Sequence, residues 1–185
     1  GQPAELPSSR PLEVEPALGA DFGGLAEWPR DQVVKVLCFC HPDDDDELWK
    51  GQIQTVKRLF EASRRNQLEF LLEVIPSKAG EVDDMTTALV VQRFYDEGIF
   101  PDWWKLDPLL TDSAWRNVIA AIDRNDAHAR GIVILGLGET EEKLARSFSI
   151  AATYPLVKGF AVGRTIFADV AQQWFLGTKT DAEAI

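Results

Sequence analysis

The sequence predicts an α/β fold of the (β/α)8 TIM-barrel type, incomplete, and three observations carry that expectation. Apolar strand-like runs alternate with helix-spaced runs in units of roughly 25 to 35 residues, the pattern of a parallel sheet with right-handed crossovers. The strands read as apolar on both faces, which is how strands covered on both sides read. The exceptions within them are charged. Lys35, Glu73 and Lys105 take inward positions on successive strands, and a barrel interior is where such side chains converge near the C-terminal strand ends, whereas an open sheet would spread them along a row.

With 185 residues, 45% apolar and 26% charged, the chain reads as a single soluble domain over 1–185 with enough length for a sizeable core. No apolar run approaches the roughly 18 residues of a spanning helix and no charged-then-apolar leader opens the sequence, so a cytoplasmic location without membrane contact is expected. A net charge of −11 argues against nucleic-acid binding, while leaving room for a local basic pocket that takes a small anion. Cys38 and Cys40, the only cysteines, lie two apart in a buried-looking strand and read as reduced packing thiols.

In chain order, residues 1–30 are mostly loop, rich in Pro, Gly and Glu, with one short strand over 11–15. Residues 33–40 form the next strand, ended by His41-Pro42. The acidic run Asp43 to Asp46 then opens a helix with Trp49, Ile53, Val56 and Phe60 on its apolar face; carboxylates there cap free amides and meet the positive dipole end. Consecutive aspartates at a helix start do not converge on one point, so no metal site is read there. The strand at 68–75 carries Glu73 as its lone interior charge, and Met85, Leu89, Gln92 and Tyr95 mark a helix ended by Gly98. After the strand at 102–106, Asp112 can cap a helix carrying Trp115, Val118, Ile119 and Ile122. A strand at 131–135 runs into the glycine-rich turn Gly136-Leu-Gly138, and Leu144 and Phe148 mark the helix that follows. The last strand, 156–162, leads into Gly163-Arg164-Thr165 and a short apolar helix closed by Gly177.

Chemistry enters at Lys105. In a strand, Lys105 and Asp107 share one face and Trp104 and Leu106 the other. An amine held in a partly dry pocket can lose its proton and attack a carbonyl to form a Schiff base. The plainer alternative is a lysine whose stem packs while its ammonium reaches solvent or pairs with Asp107. Two lysines and a glutamate on three successive strands form a coherent set, because a second cation favours the free amine and a carboxylate can shuttle the protons of carbinolamine formation and carbon-carbon cleavage. The set also has a purely structural reading as a buried ion pair.

The runs Lys35-Val-Leu-Cys-Phe-Cys, Phe70-Leu-Leu-Glu73 and Trp104-Lys105-Leu-Asp, followed by Gly163-Arg164-Thr-Ile-Phe, resemble the class I aldolases of the tagatose-bisphosphate aldolase type. The closer resemblance is to the aldolase-like domain fused behind 5-dehydro-2-deoxygluconokinase in bacterial myo-inositol catabolism. It implies Lys105 as the Schiff-base lysine, Glu73 as the acid-base group and Lys35 as the helper lysine. It also implies a substrate phosphate held by Gly163 and Arg164, with backbone amides supplied near Gly136 and Gly138, and it requires neither cofactor nor metal. Members of that family begin with two further βα units, so the resemblance implies a fragment that starts near the third strand, with six of eight units, and stops before its last helix is complete.

The expected function is therefore that of an aldolase-type carbon-carbon lyase acting on a phosphorylated keto sugar acid. By the resemblance, 2-deoxy-5-keto-gluconate 6-phosphate yields dihydroxyacetone phosphate and malonate semialdehyde. The alternative is a noncatalytic domain that binds a sugar phosphate and regulates or scaffolds a fused sugar kinase. Six strands where closure takes eight leave two open edges, so a homo-oligomer is expected.

Overall fold

The computed structural model describes residues 1–136 and 138–184, with the side chains of 164–166 not included. Six parallel strands form one sheet: β1 (Gln2–Pro3), β2 (Val33–Cys38), β3 (Glu69–Val74), β4 (Trp103–Leu106), β5 (Gly131–Leu135) and β6 (Val157–Ala161). Their spatial order is their sequence order, β1-β2-β3-β4-β5-β6. Right-handed crossovers in an order that never reverses carry every connection to the same face of the sheet. The connecting helices are α1 (Asp46–Arg65), α2 (Thr86–Asp96), α3 (Asp112–Asn125) and α4 (Glu141–Ala151), with α5 (Arg164–Phe175) and α6 (Asp181–Ala184) after β6. No helix among the described residues is long and apolar enough to cross a membrane.

Strand alternation sorts the side chains into two unlike layers. Val34, Val36, Cys38, Phe70, Leu72, Val74, Trp104, Leu106, Ile132 and Ile134 are buried under the helices. On the opposite face Lys35, Leu37, Leu71, Trp103, Lys105 and Val133 are only half-buried. The expectation of strands covered on both sides is thus corrected: helices cover one face, and the charged residues stand on the other. That face combines charged and apolar positions, so an apolar reading of it could not reveal which side the helices would take.

The first strand is also corrected. Residues 2–3, not 11–15, pair with β2 in the register Gln2 to Val34 and Pro3 to Lys35. The amide of Ala4 extends this by donating to the Lys35 carbonyl at 2.8 Å. Residues 11–15 turn back along the same segment, with an antiparallel bridge between Glu5 and Val14 and the Leu6 amide donating to the Glu13 carbonyl at 2.9 Å. A two-residue strand is too short to show a period of two, whereas Leu12 and Val14 alternate visibly without joining the sheet.

The helix starts follow local chemistry. The Asp45 carboxylate accepts from the Leu48 amide at 2.9 Å and caps α1, with Asp46 and Glu47 in its first turn. Asp44 accepts from the amide of His41 at 2.8 Å. At α3 the cap is Thr111, whose hydroxyl accepts from the Ala114 amide at 3.2 Å, and Asp112 sits in the first turn rather than capping it. In α2 the buried residues include Thr87, Val90, Val91, Phe94 and Tyr95, while Met85 and Leu89 are exposed. Of the residues the sequence marks, Tyr95 faces the core, and the rest of the buried face is rotated from Met85 and Leu89. Gly177, with φ +70°, ends α5 as expected, but the apolar residues Phe167, Trp174 and Phe175 of that helix are exposed.

The core centres on Trp104. Its indole lies 6.2 Å from the Phe94 ring and 5.6 Å from the Tyr95 ring, and its Nε1 donates to the Tyr95 hydroxyl at 2.8 Å. Aromatic rings carry the largest burial per residue and lose it all on truncation. Trp104→Ala is expected to destabilise the protein by about 3 to 5 kcal/mol, measured by urea denaturation.

Candidate active site

Register builds the charged face. Glu73 on β3 lies opposite Lys105 on β4, and Leu37 on β2 lies opposite Glu73, so Lys35 sits two residues below that level with its side chain on the same face. From there its long stem reaches forward to the carboxylate. Lys35 Nζ lies 2.8 Å from Glu73 Oε2, and Lys105 Nζ lies 2.9 Å from Glu73 Oε1. A single carboxylate, 4% exposed, thus holds two ammonium groups. On its other side Lys35 Nζ meets Glu5 Oε1 at 2.5 Å, which makes an alternating chain of charges across β1 to β4.

The three residues expected to form the site are therefore together, and they do lie along a row. Because β2, β3 and β4 are adjacent, these charges by themselves do not separate a closed barrel from an open sheet. The expected alternative partner of Lys105 is corrected: Lys105 pairs with Glu73, while Asp107, buried beyond the end of β4, accepts from the Ser77 amide at 3.3 Å through Oδ2. Asp107 Oδ1 has no hydrogen-bond partner among the described residues.

A cleft of about 800 Å3 opens over this row, lined by Lys35, Glu73 and Lys105 together with Ser8, Arg10, Lys78, Gly136, Gly138 and Gly163. The glycines expected at a phosphate site thus share one wall of it. Gly138 has φ +73°, a conformation L side chains rarely adopt. At Gly136 a Cβ would come within 3.1 Å of a Val162 methyl and 3.2 Å of its Cα, so the turn after β5 packs closely against the end of β6. Gly163 is the N-cap of α5 and, having no side chain, makes no side-chain cap of its own there. The side chain of Arg164 lies outside the described residues.

Three participants were not found in the sequence. Glu5 and Arg10 belong to the segment read as loop, where no periodicity marks a site. Lys78 carried a usable signal, because Pro76–Lys78 follows the C-terminal end of β3, and loops at that end of a parallel sheet are where ligands bind. Arg10 is fixed by an ion pair with Asp44.

Electrostatics sharpen these roles. Burial presses the Lys35 pKa down, but the charges and hydrogen bonds of Glu73 and Glu5 outweigh it and leave the pKa raised, so Lys35 is held as a cation. Burial pushes the Asp107 carboxyl up to about 6, against the lowering by Ser77 and with smaller raising contributions from Glu73 and Glu139.

The chain belongs to the family described as "Uncharacterized protein conserved in bacteria (DUF2090)", whose pattern matches residues 1–185. No curated protein matches it.

The folded protein holds the Asp107 proton more tightly than the unfolded chain does, so the contribution of Asp107 to stability falls as pH rises from 3.8 to about 6 and stays at the lower level above. Asp107→Asn is expected to stabilise by about 1 to 2 kcal/mol at a pH of about 7.5 and to change nothing near a pH of about 3.5. Urea melts at the two pH values check this.

Proposed function

We propose that this protein is an aldolase-type lyase of the incomplete (β/α)8 kind, acting in the cytoplasm on a phosphorylated keto sugar acid through a Schiff base on Lys105. The observation that carries the reading is the Glu73 carboxylate, in contact with both lysines at the floor of a cleft whose opposite wall is glycine-rich. The sequential, one-sided winding of the six strands supports the barrel.

In this mechanism Glu73 Oε1 takes a proton from Lys105 Nζ across 2.9 Å, and the free amine attacks the substrate ketone. Glu73 returns the proton as the carbinolamine loses water, leaving an iminium on Lys105. The ionised carboxylate next removes the proton of the hydroxyl β to the iminium carbon. The bond between the α and β carbons breaks, an aldehyde leaves, and its electron pair enters the iminium to give an enamine. Protonation of the enamine and hydrolysis release the ketone product and restore Lys105. Lys35, held cationic by Glu5 and Glu73, steadies the negative charge on oxygen during addition and cleavage. The substrate implied by the family resemblance is 2-deoxy-5-keto-gluconate 6-phosphate, and its phosphate would lie at Gly136, Gly138 and Gly163, with Arg164 offering paired donors that fit phosphate oxygens.

A second reading is favoured by the pairing itself. Both lysines are matched to a carboxylate, and an ammonium is no nucleophile, so the row also suits a noncatalytic domain that binds a sugar phosphate and regulates or scaffolds a fused sugar kinase. One experiment separates the two. Incubation with dihydroxyacetone phosphate and borohydride is expected to leave a reduced adduct that peptide mass mapping places on Lys105. Phosphate-ligand binding without any adduct would favour the second reading, and labelling at Lys35 or Lys158 with Lys105 untouched would sink the assignment.

We also propose that copies of the chain associate, since Phe160, Phe167, Phe175 and Leu176 are all more than half exposed beside the β6 edge. The melting temperature is then expected to rise with protein concentration, and a concentration-independent melt of a monomer in light scattering would count against it.

A further inference from the structure

We infer that the cleft has a second anion-binding end, formed by Arg10 and Lys78, and that its ligand carries a carboxylate there as well as a phosphate at the glycine-rich wall. The inference rests on the reading of this cleft as a site for a phosphorylated ligand, and it adds the residues that choose among such ligands. Strand order sets the geometry. Arg10 follows β1 and Lys78 follows β3, whereas Gly138 follows β5 and Gly163 follows β6, so the two groups stand on opposite sides of Lys105 on β4 while lining one cleft.

Charge gives the second argument. The chain carries a net charge of −11, yet among the described side chains lining this cleft the cations are Arg10, Lys35, Lys78 and Lys105, and Glu73 is the one carboxylate. Glu73 is occupied by Lys35 and Lys105. Lys78 is exposed and has no carboxylate partner among the described residues. Arg10 is paired with the nearly buried carboxylate of Asp44 while its side chain stays 34% exposed; a guanidinium has five donors, so one carboxylate partner leaves others for a ligand. An arginine held by one carboxylate and a lysine with no described carboxylate partner, lining one cleft of an acidic protein, suit an anionic group. A carboxylate fits the planar fork of an arginine.

The test is calorimetric titration of the whole chain with two probes, 6-phosphogluconate, which bears a carboxylate at the end remote from its phosphate, and sorbitol 6-phosphate, which has an alcohol in that place. The unaltered protein is expected to prefer 6-phosphogluconate by about tenfold or more. Arg10→Gln and Lys78→Gln should each shrink that preference, and together bring it within about twofold, while sorbitol 6-phosphate binds as before. Lys78 is exposed and holds no described ion pair, so its variant reports even if loss of the Arg10 to Asp44 pair loosens the fold. An undiminished preference in the double variant, equal losses for both probes, or no binding of either would overturn the inference. A preference that collapses in the variants while borohydride traps no imine would sink the lyase reading and leave this one standing; an imine on Lys105 with the preference unaltered would do the reverse.

Discussion

Glu73 is almost wholly removed from water, and each of its oxygens is taken by a different lysine. Burying one carboxylate costs several kcal/mol, which only close, well-oriented counter-charges offset, and removal of a single partner leaves an uncompensated charge. The arrangement therefore depends on register: slip β3 by one residue against β4 and Glu73 turns into the helix-covered layer beside Trp104 and Leu106, while Leu72 and Val74 turn out to the charged face. The backbone ladder and the charge row thus enforce the same alignment. They do so from opposite faces, one through apolar packing and the other through ion pairs, and neither alignment is independent of the other.

How much of this was legible in the sequence follows from the range of the forces involved. Lys35, Glu73 and Lys105 stand out because each interrupts an apolar run, and the strand period places all three on one face before any contact is known. Helix starts are equally local: the acidic run before Leu48 does what a first turn requires, and an error of one residue separates Asp112 from the true cap, Thr111. Glu5 and Arg10 were hidden because their positions come from a two-residue strand docking on β2, a pairing across some thirty positions that leaves no periodic trace. The covering of one sheet face was hidden for a related reason. Apolar character at Leu37, Leu71 and Val133 shows that they avoid water in some way, and not whether a helix or the opposite wall of a sheet does the covering.

The same separation explains how an acidic protein can present a basic cleft. Carboxylates are spread over helix starts and loops, where several cap an amide or pair with an arginine, as at Asp45, Asp83 and Asp102. The cations of the cleft are concentrated on one end of the sheet, against low-dielectric walls that focus their field toward the opening. Net charge then describes how copies of the molecule repel one another, and says little about the potential a small ligand meets on entry.

Cys38 and Cys40 lie at zero exposure on the helix-covered side of the sheet, and burial holds the Cys40 thiol in its protonated, unreactive form. A thiol reagent can reach either one only when the helical layer lifts from the strands. The two sulfurs are in this sense an internal clock for the opening of that layer, and a ligand that binds only the closed protein slows their labelling.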